Sequence, residues 1–195
     1  EVYLRISRKR YENLLDRCAT EVPSSMLKAG IMASVMNFED VRCTDGWLEM
    51  RQWWLSYITN NYQIGAAVAL GDYECAKKAL LFFGLQEGGY VLLLADGKSV
   101  PPYRNAFDGL LYYIPQLYRY TMQTGDFSVF EQVYGNVTMM IDKMEEFRIQ
   151  DSDGLFSYRL GCNMFMYQAD HIGMPGASAS ASLMMAHCYN LFARL

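Results

Sequence analysis

The sequence has little of what marks several large protein classes. It holds only 2 histidines, and its 5 cysteines include no C-x-x-C pair, which excludes the common zinc motifs and a disulfide framework. Positive and negative charges nearly balance, with 17 Lys and Arg against 21 Asp and Glu, so nothing favours nucleic-acid binding. The strongest apolar runs, residues 64–70 and 79–85, are shorter than the roughly 18–20 residues that a membrane span needs. No signal peptide is visible, and the cellular compartment stays open.

What the sequence does contain is a large share of apolar and aromatic residues. Hydrophobic residues make up 52% of the chain and charged residues 19%, which predicts a sizeable buried core. The amphipathic rings of its 15 Tyr and 3 Trp suit clefts that bind sugars, although a helical core rich in aromatics gives the same composition. We expect the cysteines to be buried free thiols. They are Cys18, Cys43, Cys75, Cys162 and Cys188.

Apolar periodicity predicts a chain built mainly of helices. The segment 1–18 is predicted to be extended at first and then a short helix, and residues 90–94 to be a strand or an extended loop. Helices are predicted at residues 26–36, 48–70, 73–85, 107–123, 127–147 and from residue 178 onward. Ser24 or Ser25 and Asp72 are in N-cap positions.

Two tight Gly-Asp turns, at residues 71–72 and 125–126, each close a pair of helices. The pairs are separated by long segments, and connections above about 12–15 residues are uncommon in compact domains unless they carry function. We therefore predict an all-α fold in which residues 1–195 form a single domain. It is a partial toroid of helical hairpins, with short turns on one rim and long loops carrying the site on the other.

Residues 108–120 and the T-G-D turn that follows them resemble the third-hairpin region of the six-hairpin glycosidases. Downstream, D-S-D-G-L at residues 151–155 and Q-A-D at residues 168–170 are similar to a turn and a loop aspartate of the same superfamily. The resemblance implies an (α/α)6 barrel, which has twelve helices. Because this chain supplies about six, it is expected to be the N-terminal half of a glycosidase catalytic domain. The remainder of the barrel is then expected from further chain.

The segment after Cys43 is similar to the α-L-rhamnosidase-like branch of that superfamily, in which a glutamate is followed four residues later by a tryptophan. Glu49 and Trp53 reproduce that spacing. The resemblance implies that Glu49 is the general acid that cleaves a terminal glycosidic bond, as in an α-L-rhamnoside. It also implies that a second catalytic carboxylate lies beyond residue 195.

Two departures from the branch pattern leave an alternative open. An aspartate expected seven residues after the acid is Ser56, and one expected five residues before it is Thr44, although Asp45 is adjacent. The alternative is a non-catalytic carbohydrate-binding toroid that has lost catalytic carboxylates. A sugar epimerase or polysaccharide lyase on an α/α toroid is less favoured, because such chemistry wants histidine or tyrosine bases and the chain has 2 histidines.

Glycoside hydrolysis needs a protonated carboxylic acid beside the leaving oxygen and a second carboxylate that activates water or attacks the sugar. A glutamate at position 49 is surrounded in sequence by tryptophans, and desolvation of its carboxyl would keep it protonated near neutral pH. The other interpretation is an exposed glutamate on an amphipathic helix.

Substrate binding is predicted for seven further residues. They are Asp45, Trp47, Arg51, Trp54, Asp108, Asp170 and His171. Trp47, Trp54 and Tyr57 are predicted to share a helical face that stacks on a sugar, with core packing as the alternative. Asp170 can accept hydrogen bonds from vicinal hydroxyls or cap the following helix, and Asp108 can equally be the N-cap of its own helix.

The expected partner is an oligosaccharide or glycoside, with neither nucleic acid nor membrane. No cofactor is expected and no metal site, because the two histidines are far apart and lack a ligand cluster. The sugar, the linkage and the stereochemical outcome stay open.

Overall fold

A computed structural model describes residues 2–17, 21–40, 54–55, 57–85, 93–94, 107–145, 154–156 and 179–195. In these ranges the chain is all-α, as predicted, with one two-residue antiparallel ladder. The helices are α1 (Val2–Arg17), α2 (Ser25–Asp40), α3 (Tyr57–Ala69), α4 (Tyr73–Gly84), α5 (Phe107–Thr124), α6 (Ser128–Glu145) and α7 (Ala179–Phe192). The ladder joins β1 (Trp54–Leu55) to β2 (Leu93–Leu94). None of the described helices is both long and apolar enough to cross a bilayer.

The predicted helix boundaries at caps and turns are confirmed. Ser24 Oγ accepts a hydrogen bond from the Leu27 amide at 3.3 Å, and the Asp72 carboxylate accepts one from the Cys75 amide at 3.2 Å. Both side chains thereby satisfy amide groups that a helix start leaves without a partner. Gly71 and Gly125 have φ of 72° and 70°, a left-handed conformation that glycine adopts without a Cβ clash.

Two of the predicted elements are wrong. Residues 2–17 form one continuous helix rather than an extended segment and a short helix, and Arg8 pairs with Glu12 one turn later at 2.9 Å. The long helix predicted from residue 48 to 70 is also wrong at its start, because α3 begins only at Tyr57. Trp54 and Leu55 lie in a strand instead, since aromatic and aliphatic residues fit a strand well when a partner strand is present.

The hairpins α3–α4 and α5–α6 pack side by side in the same orientation. Near their turns, Lys77 Nζ contacts Asp126 Oδ2 at 2.8 Å. At the other end of α4, the Asn136 side-chain amide donates to the Gly84 carbonyl at 3.0 Å. Since α4 therefore runs parallel to α6, α3 runs parallel to α5, and both tight turns lie on one rim.

Helix α7 extends this arrangement by one helix. Phe192, near its end, contacts Phe130 near the start of α6, with ring centroids 5.6 Å apart, whereas Tyr189 one turn earlier hydrogen-bonds Glu145 at the end of α6. Helix α7 is thus antiparallel to α6 and parallel to α5, on which it packs. The result is two layers, with α3, α5 and α7 in one layer and α4 and α6 in the other. The closure of such layers into a toroid stays a prediction.

The core lies between these layers and is closely packed around the end of α4. Tyr113 is fully buried and its hydroxyl donates to the Leu80 carbonyl at 2.8 Å. A Cβ added to Gly84 would meet the Tyr113 hydroxyl and lie 2.5 Å from Val133 Cγ1. Glycine is therefore the residue that lets the three helices approach here. Cys75 and Cys188 are buried and form no disulfide, as predicted, whereas the three remaining cysteines lie outside the described residues.

Candidate functional site

The two rims of the helical array differ in what the chain carries there. The tight turns occupy one rim, so the N-terminal ends of α3, α5 and α7 lie toward the other rim. In chain order, residues 41–56, 86–106 and 146–178 lead into those three N-terminal ends. With the exceptions of Tyr57, which begins α3, and Asp108, which follows the start of α5, these segments contain every residue predicted to act on or bind a sugar.

Most of the predicted site lies outside the described residues. This holds for Asp45, Trp47, Glu49, Arg51, Asp170 and His171. Trp54 and Asp108 are described in their backbone, and each lies at the N-terminal end of a helix of the α3–α5–α7 layer.

The structure corrects two predictions about these residues. Trp54 belongs to β1 and Tyr57 to α3, so the helical face that the two were predicted to share does not exist. Asp108 is the second residue of α5 rather than the residue that precedes it, which disfavours the N-cap interpretation. A carboxylate in the first turn is instead favoured by the positive end of the helix dipole.

The β1–β2 ladder brings two of the segments together at this rim. Trp54 lies opposite Leu94, and Leu55 opposite Leu93. These residues are distant in sequence, and they precede neighbouring parallel helices, α3 and α5. A residue predicted to stack on a sugar is therefore held where the segments leading into two helices of one layer meet.

The opposite rim contains a polar cluster centred on Asp126. Asp126 Oδ2 accepts hydrogen bonds from Lys77 Nζ and from the Tyr120 hydroxyl, both at 2.8 Å, while Oδ1 accepts from the Ser128 amide at 3.0 Å. The Thr124 hydroxyl accepts from the Asp126 amide at 3.1 Å. Every member of the T-G-D turn is thus fixed by a side chain or by backbone geometry.

The hydrogen bonds and charges of this cluster favour a structural role over proton transfer. Hydrogen bonds from Lys77, Ser128 and Tyr120 hold the pKa of the Asp126 carboxyl well below its usual range. Burial and the neighbouring Asp126 carboxylate raise the pKa of Tyr120 well above its ordinary value of about 10. Both oxygens of Asp126 are occupied and neither group changes charge near neutral pH, so the cluster fastens the two turns to each other.

A second feature, which the sequence analysis missed, is the contact between Cys188 and the proline in α5. Pro115 has no amide hydrogen, so the carbonyl of Leu111, four residues earlier, lacks its usual helical donor. The Cys188 thiol donates to that carbonyl at 3.5 Å. Burial raises the pKa of this thiol to about 12, which keeps its proton in place. The signal was present in the sequence as a proline within an apolar helix, but the thiol that donates to the Leu111 carbonyl is 77 residues from Leu111.

Helices α3 and α5 meet closely at Gly65, another position that sequence reasoning missed. A Cβ at Gly65 would lie 2.7 Å from Gln116 Oε1. That amide oxygen and the Thr121 hydroxyl are buried without a hydrogen-bond partner among the described residues. The contact is therefore steric, and it sets the spacing of two helices whose N-terminal ends lead out to the predicted site.

Within the described ranges, no three His, Cys, Asp or Glu side chains are grouped so as to hold a metal ion. No known protein family, curated protein or solved structure matches this chain. The resemblance to six-hairpin glycosidases therefore stays a prediction from the sequence.

Proposed function

We propose that this chain is part of a glycoside hydrolase that cleaves a terminal glycosidic bond by carboxylate general acid/base catalysis. The α-L-rhamnoside is the first substrate to test. The observation that carries the proposal is the common orientation of α3, α5 and α7. Their N-terminal ends lie on one rim, into which the segments 41–56, 86–106 and 146–178 lead.

The β1–β2 ladder supports a shared site on this rim. It joins the segment before α3, which contains Glu49, to the segment before α5. Glu49 is five residues before Trp54, a distance of at most about 18 Å along an extended chain. That length allows a carboxyl at position 49 to reach the ladder, as the general acid of this proposal requires.

The difference between the rim of tight turns and the rim of long segments also supports the proposal. The Asp126 cluster rigidly fixes the rim of tight turns, which leaves long segments on the other rim to be shaped for a ligand. Sites placed at one end of a rigid scaffold are common, because the scaffold tolerates variation in the connecting segments.

The proposal is tested by assaying the protein that carries this chain on aryl glycosides, with p-nitrophenyl α-L-rhamnoside first. Glu49→Gln removes the proton donor while keeping the side-chain volume, and turnover is expected to fall by about 100-fold or more. Glu74→Gln is the matched control, since Glu74 is an exposed residue of α4 near the other rim. Equal turnover in both variants would remove Glu49 from the acid role.

The carbohydrate-binding alternative makes a different prediction in the same experiment. Calorimetry with L-rhamnose and with intact rhamnosides would then show binding that Asp170→Ala weakens, while no glycoside is hydrolysed by the unmodified protein. Binding together with hydrolysis, and loss of hydrolysis alone in Glu49→Gln, supports the catalytic proposal.

A further inference from the structure

Helix α1 has a net positive charge in a chain whose net charge is negative. It contains five Arg and Lys residues against Glu12 and Asp16, whereas the whole chain has a net charge of −4. The helix is also almost entirely exposed, and only Tyr11 and Leu15 are half-buried among its described side chains. It contacts α2, where Arg10 pairs with Glu39. Because helices in proteins are stabilised mainly by tertiary packing and this one buries little of its surface, a further surface is expected to contact it.

One face of α1 combines apolar and basic side chains. Val2 and Ile6 are 59% and 60% exposed, and Lys9 continues their face at the next helical step, with Arg5 beside it. We call these four residues the α1 stripe. Arg8 and Arg10 form ion pairs with Glu12 and Glu39, but Arg5 and Lys9 have no ion pair among the described residues. Tyr11 lies on the opposite side of the helix.

The outward face of α6 has the complementary character. Its stripe follows the spacing of a helix-packing seam, four, three, four and four residues apart. The α6 stripe consists of Phe127, which directly precedes the helix, and of Glu131, Tyr134, Thr138 and Asp142.

Phe127 and Tyr134 are 43% and 51% exposed, and the Tyr134 ring stacks on Phe192 with centroids 5.8 Å apart. Glu131 and Asp142 are exposed and have no ion pair within the described part of the chain. Val133 and Asn136 turn the other side of α6 toward α4, so the stripe faces away from α4 and contacts α7 through Tyr134.

We propose that the α1 stripe of one copy of this chain docks on the α6 stripe of a second copy. Each stripe pairs large exposed apolar side chains with charges of one sign, and the two signs are opposite. The seam spacing of both allows the helices to pack along their length. Because the two surfaces differ, the contact is heterologous, and each copy carries one α1 stripe and one α6 stripe.

The proposal is tested by sedimentation equilibrium and light scattering of the protein that carries this chain over a range of concentrations. The weight-average mass is expected to exceed that of one copy, to rise with concentration and to fall as salt screens the charges. Reversal of both cations, Arg5→Glu with Lys9→Glu, is expected to weaken association by about 10-fold or more. Lys28→Glu with Arg119→Glu changes the net charge equally at exposed positions outside both stripes, and should leave association unchanged.

A charge-swap experiment separates docking of the two stripes from a general effect of charge. Glu131→Lys with Asp142→Lys is expected to weaken self-association as the α1 variant does. A mixture of these two reversed proteins should form a mixed complex, because the acidic α1 stripe of one then meets the basic α6 stripe of the other. Circular dichroism checks that each variant keeps its helical content.

Three results would overturn the proposal. One is a protein that keeps the mass of one copy at all concentrations, and another is association that survives reversal of either stripe. The third is a monomer that sediments with phosphatidylserine vesicles and loses this binding in the Arg5→Glu, Lys9→Glu variant, which would assign α1 to a lipid surface instead.

Discussion

Pro115 lies inside α5, and the hydrogen bond that it removes is replaced by one from α7. A proline in a helix interior removes one backbone hydrogen bond, and here the Cys188 thiol donates to the carbonyl left without a donor. Cys188→Ala is expected to destabilise the fold by about 1–3 kcal/mol, since it leaves both a buried acceptor and a small cavity. Urea unfolding followed by circular dichroism measures this loss.

A double-mutant cycle with Pro115→Ala isolates the hydrogen bond from the cavity. Alanine at position 115 restores an amide donor for the Leu111 carbonyl, so the cost of Cys188→Ala should be smaller in that background. The same cost in both backgrounds would mean that Cys188 acts only by filling space.

Gly84 is required by close packing rather than by its backbone conformation. A methyl group there would meet the Tyr113 hydroxyl and Val133, and both of these are buried and confined. Gly84→Ala is therefore expected to destabilise the fold by about 1–3 kcal/mol.

The matched control for Gly84→Ala is Gly135→Ala in α6, where no atom lies within 4 Å of the added Cβ. That substitution should stabilise the chain by about 0.5–1 kcal/mol, because alanine loses less backbone entropy in a helix than glycine. Thermal unfolding of both variants measures these changes in stability, and shifts of the unfolding temperature with the same sign would contradict the packing argument.

At the scale of elements, the carboxylate of Asp126 joins the two helical hairpins near their tight turns. Asp126 is ionised at lower pH in the folded chain than in the unfolded chain, because Lys77, Ser128 and Tyr120 hydrogen-bond its charged form. Its contribution to stability is therefore complete above pH of about 4 and is lost as the pH falls below the unfolded pKa of about 3.9.

Asp126→Asn is accordingly expected to cost about 1–3 kcal/mol at neutral pH and less at pH 2–3, where the unmodified chain has begun to lose the same interaction. Urea unfolding at several pH values between 2 and 7 measures the difference. Tyr120 also makes the stability of the fold depend on pH at the alkaline end. Because its pKa is raised in the folded chain, stability falls as the pH rises above about 10. If the stability of Asp126→Asn falls as steeply toward low pH as that of the unmodified chain, the loss of stability in acid belongs to other carboxyls.

Elements whose signals are local could be predicted from the sequence. Gly71 and Asp72 end one helix and begin the next through backbone conformation and capping, which depend on neighbouring residues alone. Strand β1 could not be predicted in this way, because Trp54 and Leu55 also fit a helical pattern and their partners at 93–94 are far along the chain. For the same reason, the Asp126 turn was predicted but its contact with Lys77 was not.

At the scale of the whole molecule, the arrangement of the helices in two layers could be predicted only in part. The tight turns and long segments predicted two unlike rims, and the contacts of α3, α5 and α7 agree with that arrangement. The pairing of α6 with α7 through Phe130 and Phe192 depends on tertiary packing, which one sequence does not display. Of the predicted site, Trp54 and Asp108 are described at the expected rim, and Glu49 and its neighbours stay predictions.

All three tryptophans of the chain lie between residues 47 and 54, in the segment that leads into α3, so tryptophan fluorescence reports on that segment. If that rim binds a saccharide, a sugar ring stacking on an indole will change the emission and protect it from iodide quenching. We expect a saturable change on titration with the rhamnoside, at the concentration where calorimetry shows binding. Asp126→Asn, on the opposite rim, should keep the same midpoint. Binding detected by calorimetry with unaltered tryptophan emission would place the ligand elsewhere on the molecule.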